Sequence, residues 1–493
     1  MTAPLLTRAA LAASRGGSPR TAAATPTPPP PRLVHLGLGA FHRAHQAWYT
    51  ARAADSADWG VVAFGGRAPR STTADTDVPA LLAAQDGLFT LVERGGAGDE
   101  LTIVDSIVAS HPGPRTDLLN AAVADARTAV VTLTVTEAGY RATPAGEIDL
   151  DDDGVRADLA LLRAGFAAGV ADGVTGATTT PGRLLAALEH RRRAGAGPIA
   201  LVPCDNLPGN GALLRTSLLT LAQAAGSGVL ADWITGEVAF VSTSVDRITP
   251  RAQDDLSALV ERETGWRDAV PVVTEPFSDW VLAGDFPAGR PAWETSGARV
   301  LTDARALEAF ENRKLWLLNG AHSLLAYAGL LAGRASVAEA VTDPALLAPV
   351  RAWWSEAARH LPAALHADAY AAQLLSRFRN HRVEHRLLQI SADGSAKLRV
   401  RIVPVLLAET AAGREAVGAE TAVAAWVAAH LRELPLVDAA GEAVAAARAA
   451  ADPVGALLAL VGLDDGALRD RAGLADRIRE RVRVLVESAR PVT

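Results

Sequence analysis

The stretch Arg32-Leu33-Val34-His35-Leu36-Gly37-Leu38-Gly39-Ala40-Phe41-His42 decides the fold of the first half of the chain. Its apolar strand runs into Gly37 and Gly39, and a helix follows. Gly37 permits a tight turn, and Gly39 lets backbone N–H groups approach a pyrophosphate at the helix N-terminus. The third glycine of the usual pattern is replaced here, so an ordinary tight turn explains the motif almost as well. The candidate cofactor-binding residues are Gly37, Gly39, Ala40 and Phe41.

Strand-like and helical segments alternate along the chain after this motif. The predicted strands are the apolar runs 59–66, 89–93, 101–108, 129–135, 199–203 and 238–245. The predicted helices between several of them are 116–127, 182–194 and 211–226. Continuous apolar runs are typical of parallel strands buried on both faces. The alternation therefore predicts an α/β fold with a doubly wound, Rossmann-type sheet.

Length and composition indicate at least two domains and exclude several classes of protein. A chain of 493 residues exceeds what one hydrophobic core normally holds. Its net charge of −7 argues against nucleic-acid binding, which needs a basic face. An uninterrupted apolar run of about 18 residues is missing, so no membrane span is predicted. The single cysteine, Cys204, excludes an internal disulfide and a cysteine-bound metal, and it fits a cytoplasmic location.

The first 30 residues lack a helical or strand period and include the run Pro28-Pro29-Pro30-Pro31. Early leucines and arginines loosely resemble a targeting peptide, but no continuous apolar core precedes a cleavage site. We therefore predict a flexible tail over 1–30.

The end of the second predicted strand bears on the choice of cofactor. An acidic residue usually stands there and binds the adenosine ribose of NAD. Here the loop instead carries Arg67 and Arg70, which could meet the 2′-phosphate of NADP. Arginines are also common on surface loops, so both NAD and NADP stay open.

Two later strand ends carry polar side chains where α/β proteins place their sites. Asn206 follows the strand 199–203 and can donate its amide to a substrate oxygen, or it can cap the next helix through an Asx-turn. Asp246 and Arg247 follow the strand 238–245. They could orient each other near a site or form a structural ion pair.

Strand signals fade beyond the Pro- and Gly-bearing loop 285–291, which predicts a domain connection there. We expect a dinucleotide-binding domain over 31–290 and a mainly α-helical domain over 291–493. The predicted helices are 303–310, 314–331, 344–358, 370–378, 421–432, 443–451 and 474–488.

The segment 311–323 combines polar side chains with apolar surroundings. At about 100° per residue, Glu311, Lys314, Asn319 and His322 share one side of a helix. Burying such groups costs free energy unless they have partners or a purpose. The segment is therefore either a catalytic face with a lysine as proton acceptor or a buried helix with satisfied polar groups.

Two further patterns lie in the second half. Lys397 follows a glycine turn and either points into a cleft or lies on a solvated loop. His381 and His385 have a metal-like His-x-x-Glu-His spacing. A zinc site would need a third protein ligand that no motif supplies, so we expect a solvated polar helix and no metal site.

Several motifs together resemble the mannitol dehydrogenase family, the polyol-specific long-chain dehydrogenases and reductases. They occur in family order between residues 32 and 400 and comprise 37–46, Cys204-Asp205-Asn206, 245–250, 275–277, Lys314-Leu315, Leu318-Asn319, His322, His385-Arg386, Gln389-Ile390, Asp393-Gly394-Ser395 and Lys397. The joint pattern is far more specific than any single piece. It favours the catalytic interpretation of 311–323 and includes His385 without requiring a metal.

The resemblance implies an N-terminal Rossmann domain, a helical C-terminal domain and metal-independent hydride transfer between a nicotinamide and a secondary alcohol or ketone. It implies Lys314 as general acid/base, with Asn206 and Asn319 holding the reacting oxygen. His322 would orient a neighbouring hydroxyl, and Glu311 would lie on the proton path. Asp246 and Lys397 would bind the rest of the substrate, with Arg386 as a further partner for a carboxylate.

The segments 41–46, 134–140 and 319–323 look more like the fructuronate-reducing members of the family than the mannitol 2-dehydrogenases. We therefore expect D-fructuronate/D-mannonate as substrate pair, with mannitol/fructose or arabinitol as alternatives. Trp316 departs from the family pattern, where a polar residue is expected. A nucleotide-binding sensor without turnover is the alternative from another class. We expect a monomer whose partner is a small sugar acid or polyol, with NAD favoured by the family.

Overall fold

A computed structural model describes residues 3–13, 27–66, 77–143, 146–169, 174–250, 255–383, 385–468, 471 and 473–489 of the protein. The chain forms two compact units, Met1–Glu308 and Ala309–Thr493. In the described part of the chain, no helix is both long and apolar enough to cross a membrane.

The first unit holds all the described strands. They are β1 (Pro31–Leu36), β2 (Gly60–Phe64), β3 (Phe89–Arg94), β4 (Asp99–Val104), β5 (Ile107–His111), β6 (Val130–Leu133), β7 (Ile199–Pro203), β8 (Val238–Phe240), β9 (Ser242–Asp246), β10 (Val272–Thr274), β11 (Asp279–Ala283) and β12 (Arg299–Leu301). Its helices are α1 (Arg8–Ala13), α2 (Ala40–His42), α3 (Trp48–Arg52), α4 (Val78–Ala84), α5 (Thr116–Ala124), α6 (Asp153–Ala168), α7 (Thr180–Ala194), α8 (Asn210–Ala224), α9 (Gly228–Glu237) and α10 (Leu256–Thr264). A π-helical turn, Arg43–Ala47, joins α2 to α3, and short 3₁₀ turns lie at Ser56–Asp58, Glu137–Gly139 and Trp293–Ser296.

The main sheet has the strand order β5-β2-β1-β6-β7-β8, and every neighbouring pair is parallel. The predicted doubly wound parallel sheet is confirmed. The chain moves from β1 to β2 on one side, while β6 lies on the other side of β1. Such a reversal opens a crevice at the carboxyl ends of the two strands, where α/β proteins bind ligands. Gly37 follows β1 at this edge, and Thr134 follows β6.

Two runs predicted as single strands are each two strands in different sheets. The run 101–108 divides into the end of β4, which pairs antiparallel with β3, and the start of β5, which lies in the main sheet. The run 238–245 divides into β8 of the main sheet and β9, which pairs antiparallel with β11. The first break falls at Asp105 and Ser106 and the second at Val241. Buried residues lie on both sides of each short break, so the hydrophobic pattern predicted each run as one strand.

The first unit extends past the predicted boundary at 290/291. β12 lies beyond the loop 285–291 and pairs in parallel with β11. This pairing holds the residues after the loop in the first unit, and the division falls at 308/309.

Part of the predicted tail packs on the first unit. The side chain of Leu6 is fully buried with Leu88 and Ile103. The backbone of Leu6 donates to the carbonyl of Arg267 at 3.0 Å, and Arg8 Nη2 donates to the carbonyl of Asp105 at 2.7 Å. Residues 3–13 are therefore docked, contrary to the flexible tail predicted over 1–30, while 14–26 lie outside the described residues.

The second unit is mainly helical, as predicted. Helix α11 (Ala304–Arg313) leads into it, and a π-helical turn, Lys314–Gly320, follows directly. The remaining helices are α12 (Ala321–Leu331), α13 (Val337–Thr342), α14 (Pro344–Ala358), α15 (Ala367–Phe378), α16 (Leu387–Ile390), α17 (Gly394–Arg401), α18 (Val403–Ala411), α19 (Val417–Leu431), α20 (Gly441–Arg448), α21 (Pro453–Leu460), α22 (Asp465–Leu468) and α23 (Leu474–Ser488), with a 3₁₀ turn at Ala363–Leu365. Almost every residue of α19 is buried, so this alanine-rich helix forms the core of the unit.

Candidate functional site

The loop after β1 has the geometry of a dinucleotide cradle. Gly37 has φ +106°, and a Cβ there would lie 2.3 Å from the carbonyl oxygen of Thr134. Thr134 Oγ1 also donates to the Gly37 carbonyl at 2.7 Å, which ties the loop to the end of β6. A Cβ on Gly39 would approach only the Gly37 carbonyl, at 3.6 Å. The fold itself thus demands glycine at 37, whereas at 39 the missing side chain leaves space beside the loop.

The helix after this loop begins without a side-chain cap. Gly39 is its N-cap residue, and the chain stays helical through α2, the π-helical turn Arg43–Ala47 and α3. The first N–H groups of a helix attract an anion such as a pyrophosphate. Ala40 and Phe41 are half-buried beside these groups. The loop at 37–41 therefore offers space and free helix N–H groups where a pyrophosphate could bind, and its assignment to cofactor binding stays a prediction.

Two stacked histidines, His35 and His42, lie on either side of the glycine loop in the sequence. The rings of His35 and His42 lie parallel, with centroids 3.3 Å apart, and both are fully buried. His35 shares hydrogen bonds with Thr132 Oγ1 at 2.8 Å and with Thr134 Oγ1 at 3.1 Å. Burial lowers the pKa of His35 to about 3 and lowers the pKa of His42 well below its ordinary value. The stack is therefore neutral and apolar in character at physiological pH.

Arg67 and Arg70 lie outside the described residues, so the NADP hypothesis built on them stays a prediction. The structure places a different cation at the end of β2. Arg183 on α7 is buried, and its Nη1 donates to the carbonyl of Gly66 at 3.1 Å. Burial lowers the pKa of Arg183 to about 10. No local pattern indicates this residue, because it lies more than 100 positions after the strand end in the sequence.

The loop after β7 is organised by Asp205. Its carboxylate accepts hydrogen bonds from the Tyr140 hydroxyl, from the Leu207 N–H at 2.9 Å and from Asn210 Nδ2 at 3.2 Å. Burial raises the pKa of Asp205. Asn206 is exposed next to this anchored residue. Asp205 itself makes an Asx-turn, because its carboxylate accepts from the N–H two residues later, while the two roles considered for Asn206 stay predictions.

Asp246 and Arg247 have separate environments at the end of β9. Asp246 is buried and stands opposite Asp279 of β11. Arg247 forms an ion pair with Glu93, and its Nη1 donates to the carbonyl of Ala44 at 2.6 Å. Arg247 thus ties the helix after the glycine loop to β3, which makes it a structural residue.

The segment 314–320, predicted as part of an α-helix, is π-helical. Trp353 Nε1 donates to the Trp316 carbonyl and Trp354 Nε1 donates to the Leu317 carbonyl, both at 2.8 Å. Gly320 packs against the Trp353 ring, where a Cβ would lie 2.6 Å away. The 100° spacing used for the predicted polar face therefore does not hold here, since a π turn has more residues per turn. π-Helical turns occur frequently at functional sites.

The polar residues of this segment are half-buried, as Glu311, Lys314, Asn319 and His322 all are. The His322 ring stacks on Phe378 with centroids 4.8 Å apart and meets the edge of His385 at 5.5 Å. The fold thus brings His385 from a distant loop to His322. Asn206 lies in the first unit, while the other proposed catalytic residues lie in the second.

Lys397 lies on a helix and not on a loop. It stands in the first turn of α17, is half-buried, and donates to the Ile390 carbonyl at 3.3 Å. Burial and the neighbouring Arg401 lower the pKa of Lys397. Arg386, by contrast, is exposed at the start of α16.

Arg401 lies beside the proposed catalytic segment, although no sequence motif marks it. It ends α17, and its Nη1 donates to the carbonyl of Asn319 at 3.4 Å and to Ser323 Oγ at 3.3 Å. The sequence indicates Arg401 only through its spacing, since it follows the candidate Lys397 by one helical turn.

The His-x-x-Glu-His pattern does not form the expected polar helix. His381 is exposed in a turn, and Glu384 lies outside the described residues. The described residues include no cluster of three or more His, Cys, Asp or Glu side chains suited to hold a metal ion.

Comparisons with known proteins match both units. The mannitol dehydrogenase Rossmann domain matches residues 31–295, and the mannitol dehydrogenase C-terminal domain matches residues 306–485. These two matches cover most of the chain in the order observed.

Individual relatives agree. D-Mannonate oxidoreductase of Escherichia coli (strain K12) is 38% identical over 386 residues, covering 76% of this chain and 75% of the relative. Mannitol 2-dehydrogenase of Pyrenophora tritici-repentis is 34% identical over 402 residues, covering 80% and 68%. The solved structure of Pseudomonas fluorescens mannitol 2-dehydrogenase, a ternary complex with NAD and D-mannitol, is 31% identical with a TM-score of 0.74 and covers 95% of this chain and 94% of that one. With both domains matched in order, this chain belongs to the mannitol dehydrogenase family and is an oxidoreductase that acts on CH–OH groups.

Proposed function

We propose that the protein reduces D-fructuronate to D-mannonate with NADH, and catalyses the reverse oxidation with NAD. The observation that carries this proposal is the π-helical segment 314–320, which presents Lys314 and Asn319 in a chain of this family. The 38% identity to a D-mannonate oxidoreductase supports the sugar-acid substrate. NAD is favoured because a solved relative binds it, and the uncapped helix after Gly39 suits its pyrophosphate.

The nicotinamide supplies the hydride, and the protein's own residues manage the proton and the oxygen. Lys314 donates a proton to the carbonyl oxygen during reduction and accepts it during oxidation. The amides of Asn206 and Asn319 hold that oxygen, since donors in a dry site stabilise a developing alkoxide. His322, held between Phe378 and His385, orients a neighbouring hydroxyl.

Two other residue groups complete the proposed site. Glu311 precedes Lys314 by three residues and relays its proton to solvent. Asp246 and Lys397 bind the remainder of the sugar chain, and Arg386 is a further partner for the carboxylate. We also infer that the enzyme is a cytoplasmic monomer without a metal requirement, which light scattering and assays with a chelator would test.

The decisive experiment is a substrate panel with both cofactors. Steady-state rates are measured on D-fructuronate and D-fructose with NADH and NADPH, and on D-mannonate, D-mannitol and D-arabinitol with the oxidised cofactors. We expect the highest kcat/KM for D-fructuronate with NADH. Activity confined to mannitol and fructose would contradict the sugar-acid proposal and favour the alternative supported by the 34% identity to a mannitol 2-dehydrogenase.

A further inference from the structure

The half-buried Arg401 uses its guanidinium differently from Arg191, which is fully buried in the first unit. All three guanidinium nitrogens of Arg191 donate hydrogen bonds to backbone carbonyls, which makes Arg191 a structural cross-link. Arg401 uses only Nη1, which donates to Asn319 and Ser323. Its Nε and Nη2 make no hydrogen bond in the described part of the chain. These two groups form one edge of the fork that binds a carboxylate in bidentate fashion.

Arg401 also lacks an anionic partner within the described residues. Other half-buried arginines of the second unit have one: Arg334 pairs with Asp343, and Arg477 pairs with Glu420. Burial lowers the pKa of Arg401, which reflects the cost of keeping this charge partly out of water. A cation in such a place is stabilised when an anion binds next to it.

A second cation stands beside the first. Lys397 and Arg401 occupy positions i and i+4 of α17, so both side chains lie on one face of the helix. Like charges at this spacing repel each other and destabilise the helix unless an anion lies between them. Arg401 touches the carbonyl of Asn319, so this cationic face lies beside the segment that carries Lys314.

We propose that Nε and Nη2 of Arg401, with Lys397, bind the terminal carboxylate of an open-chain sugar acid. The proposal rests on the proposed function and names the residue that distinguishes a carboxylate from a hydroxymethyl group at the end of the substrate. D-Fructuronate and D-fructose differ at that end alone. Arg401 is therefore a specificity residue, which the sequence motifs did not mark.

The test compares the two substrates in the full-length Arg401→Met enzyme. We expect kcat/KM for D-fructuronate to fall about 30- to 100-fold more than kcat/KM for D-fructose, mainly through KM, because charge-assisted bidentate contacts are lost. Arg401→Lys should recover part of the loss, since it restores the charge without the fork. Arg399→Met is the matched control, because Arg399 lies exposed on the same helix and donates to the Leu460 carbonyl.

Equal losses for both substrates in Arg401→Met would overturn the proposal and leave Arg401 as a support for Asn319. Calorimetric binding of D-mannonate and D-mannitol to the NAD-loaded protein makes the same comparison without turnover. Undiminished D-mannonate binding by Arg401→Met would likewise overturn it. A wild-type enzyme inactive on D-fructuronate would instead contradict the proposed function, while a selective loss of D-mannonate binding would still support the role of Arg401.

Discussion

Lys314 and Lys397 are the only lysines among the 48 lysine and arginine residues of the chain. Arginine supplies every other cationic side chain, on the surface and in ion pairs alike. Arginine cannot release its proton in a protein, whereas a lysine can. Lysine is thus kept at only two positions. Lys314 is proposed for proton transfer, and Lys397 is proposed for substrate binding. This count is independent of the motif match and supports the role given to Lys314.

Replacing Lys314 tests that role directly. We expect Lys314→Ala to lower kcat roughly 100-fold or more, since a positioned acid/base contributes at least that much. Lys314→Arg should be as impaired, because it keeps a charge that cannot transfer a proton. Cofactor affinity, measured by fluorescence titration, should stay unchanged in both variants. A rate in either variant close to that of the wild type would reject Lys314 as the acid/base.

The small number of lysines also makes their ionisation measurable. Reductive methylation with ¹³C-formaldehyde labels two side chains and the N-terminus, and an NMR titration then follows each amine. We expect Lys397 to titrate below its ordinary pKa because of burial and Arg401. Removing Arg401 removes one charge that disfavours protonation, so the pKa of Lys397 should rise in Arg401→Met. An unchanged or lower value would show that the two cations do not interact.

At the scale of the element, the two motif-bearing helices share a departure from α-helical geometry. The helix after the glycine loop contains the π-helical turn Arg43–Ala47, and the proposed catalytic helix contains Lys314–Gly320. The sequence predicted the existence of both helices and the residues on them. It could not predict the π-helical turns. The turn Lys314–Gly320 receives hydrogen bonds from the indole N–H groups of Trp353 and Trp354, which lie on a separate helix.

The close packing of Gly320 on Trp353 gives a prediction for this element. In Gly320→Ala, the new methyl would lie 2.6 Å from the indole, so the ring or the helix must shift. We expect a loss of stability of about 1 to 3 kcal/mol and a lower kcat, since Lys314 and Asn319 move with the turn. Thermal denaturation and steady-state kinetics measure the two effects.

Gly441→Ala is the control for this change, because Gly441 begins α20 and no atom would lie within 4 Å of its Cβ. It should be neutral or slightly stabilising. A Gly320→Ala enzyme as stable and active as this control would refute the packing argument.

At the scale of the whole molecule, the sequence predicted the two architectures and the order of the main elements. Alternating apolar runs predicted the parallel sheet, and helical periodicity predicted α14 and α23 with their observed bounds. The two small sheets were missed because β4 and β9 were predicted as parts of longer runs, and because β10 and β12 have only three residues each. The roles predicted for Arg67 and Arg70 stay predictions. Tyr140, which donates to Asp205, is far from it in the sequence, as Phe378 and His385 are from His322. Local patterns cannot reveal such long-range pairs.

The docked N-terminal segment gives a prediction at this scale. Leu6 is fully buried against Leu88 and Ile103 although the surrounding sequence has no regular period. Leu6→Ala should cost about 2 to 5 kcal/mol if the segment unfolds together with the rest of the unit. Leu150→Ala, at a side chain that is 37% exposed, is the control and should change little. Equal denaturation midpoints for the two variants would mean that the segment contributes no stability.

The positions of the two lysines make the native protein a substrate with only two cleavable bonds for a lysine-specific protease. Lys314 lies within a continuous helical stretch and Lys397 within α17, and both are half-buried. A protease binds extended backbone, so either bond is cut only after the surrounding helix opens. The rates at which the fragments 1–314, 315–397 and 398–493 appear therefore report local unfolding of the proposed proton-transfer and carboxylate-binding segments. Proteolysis of the unaltered enzyme thus measures how often those segments open. The same measurement with substrate or cofactor present shows how far each ligand slows the opening.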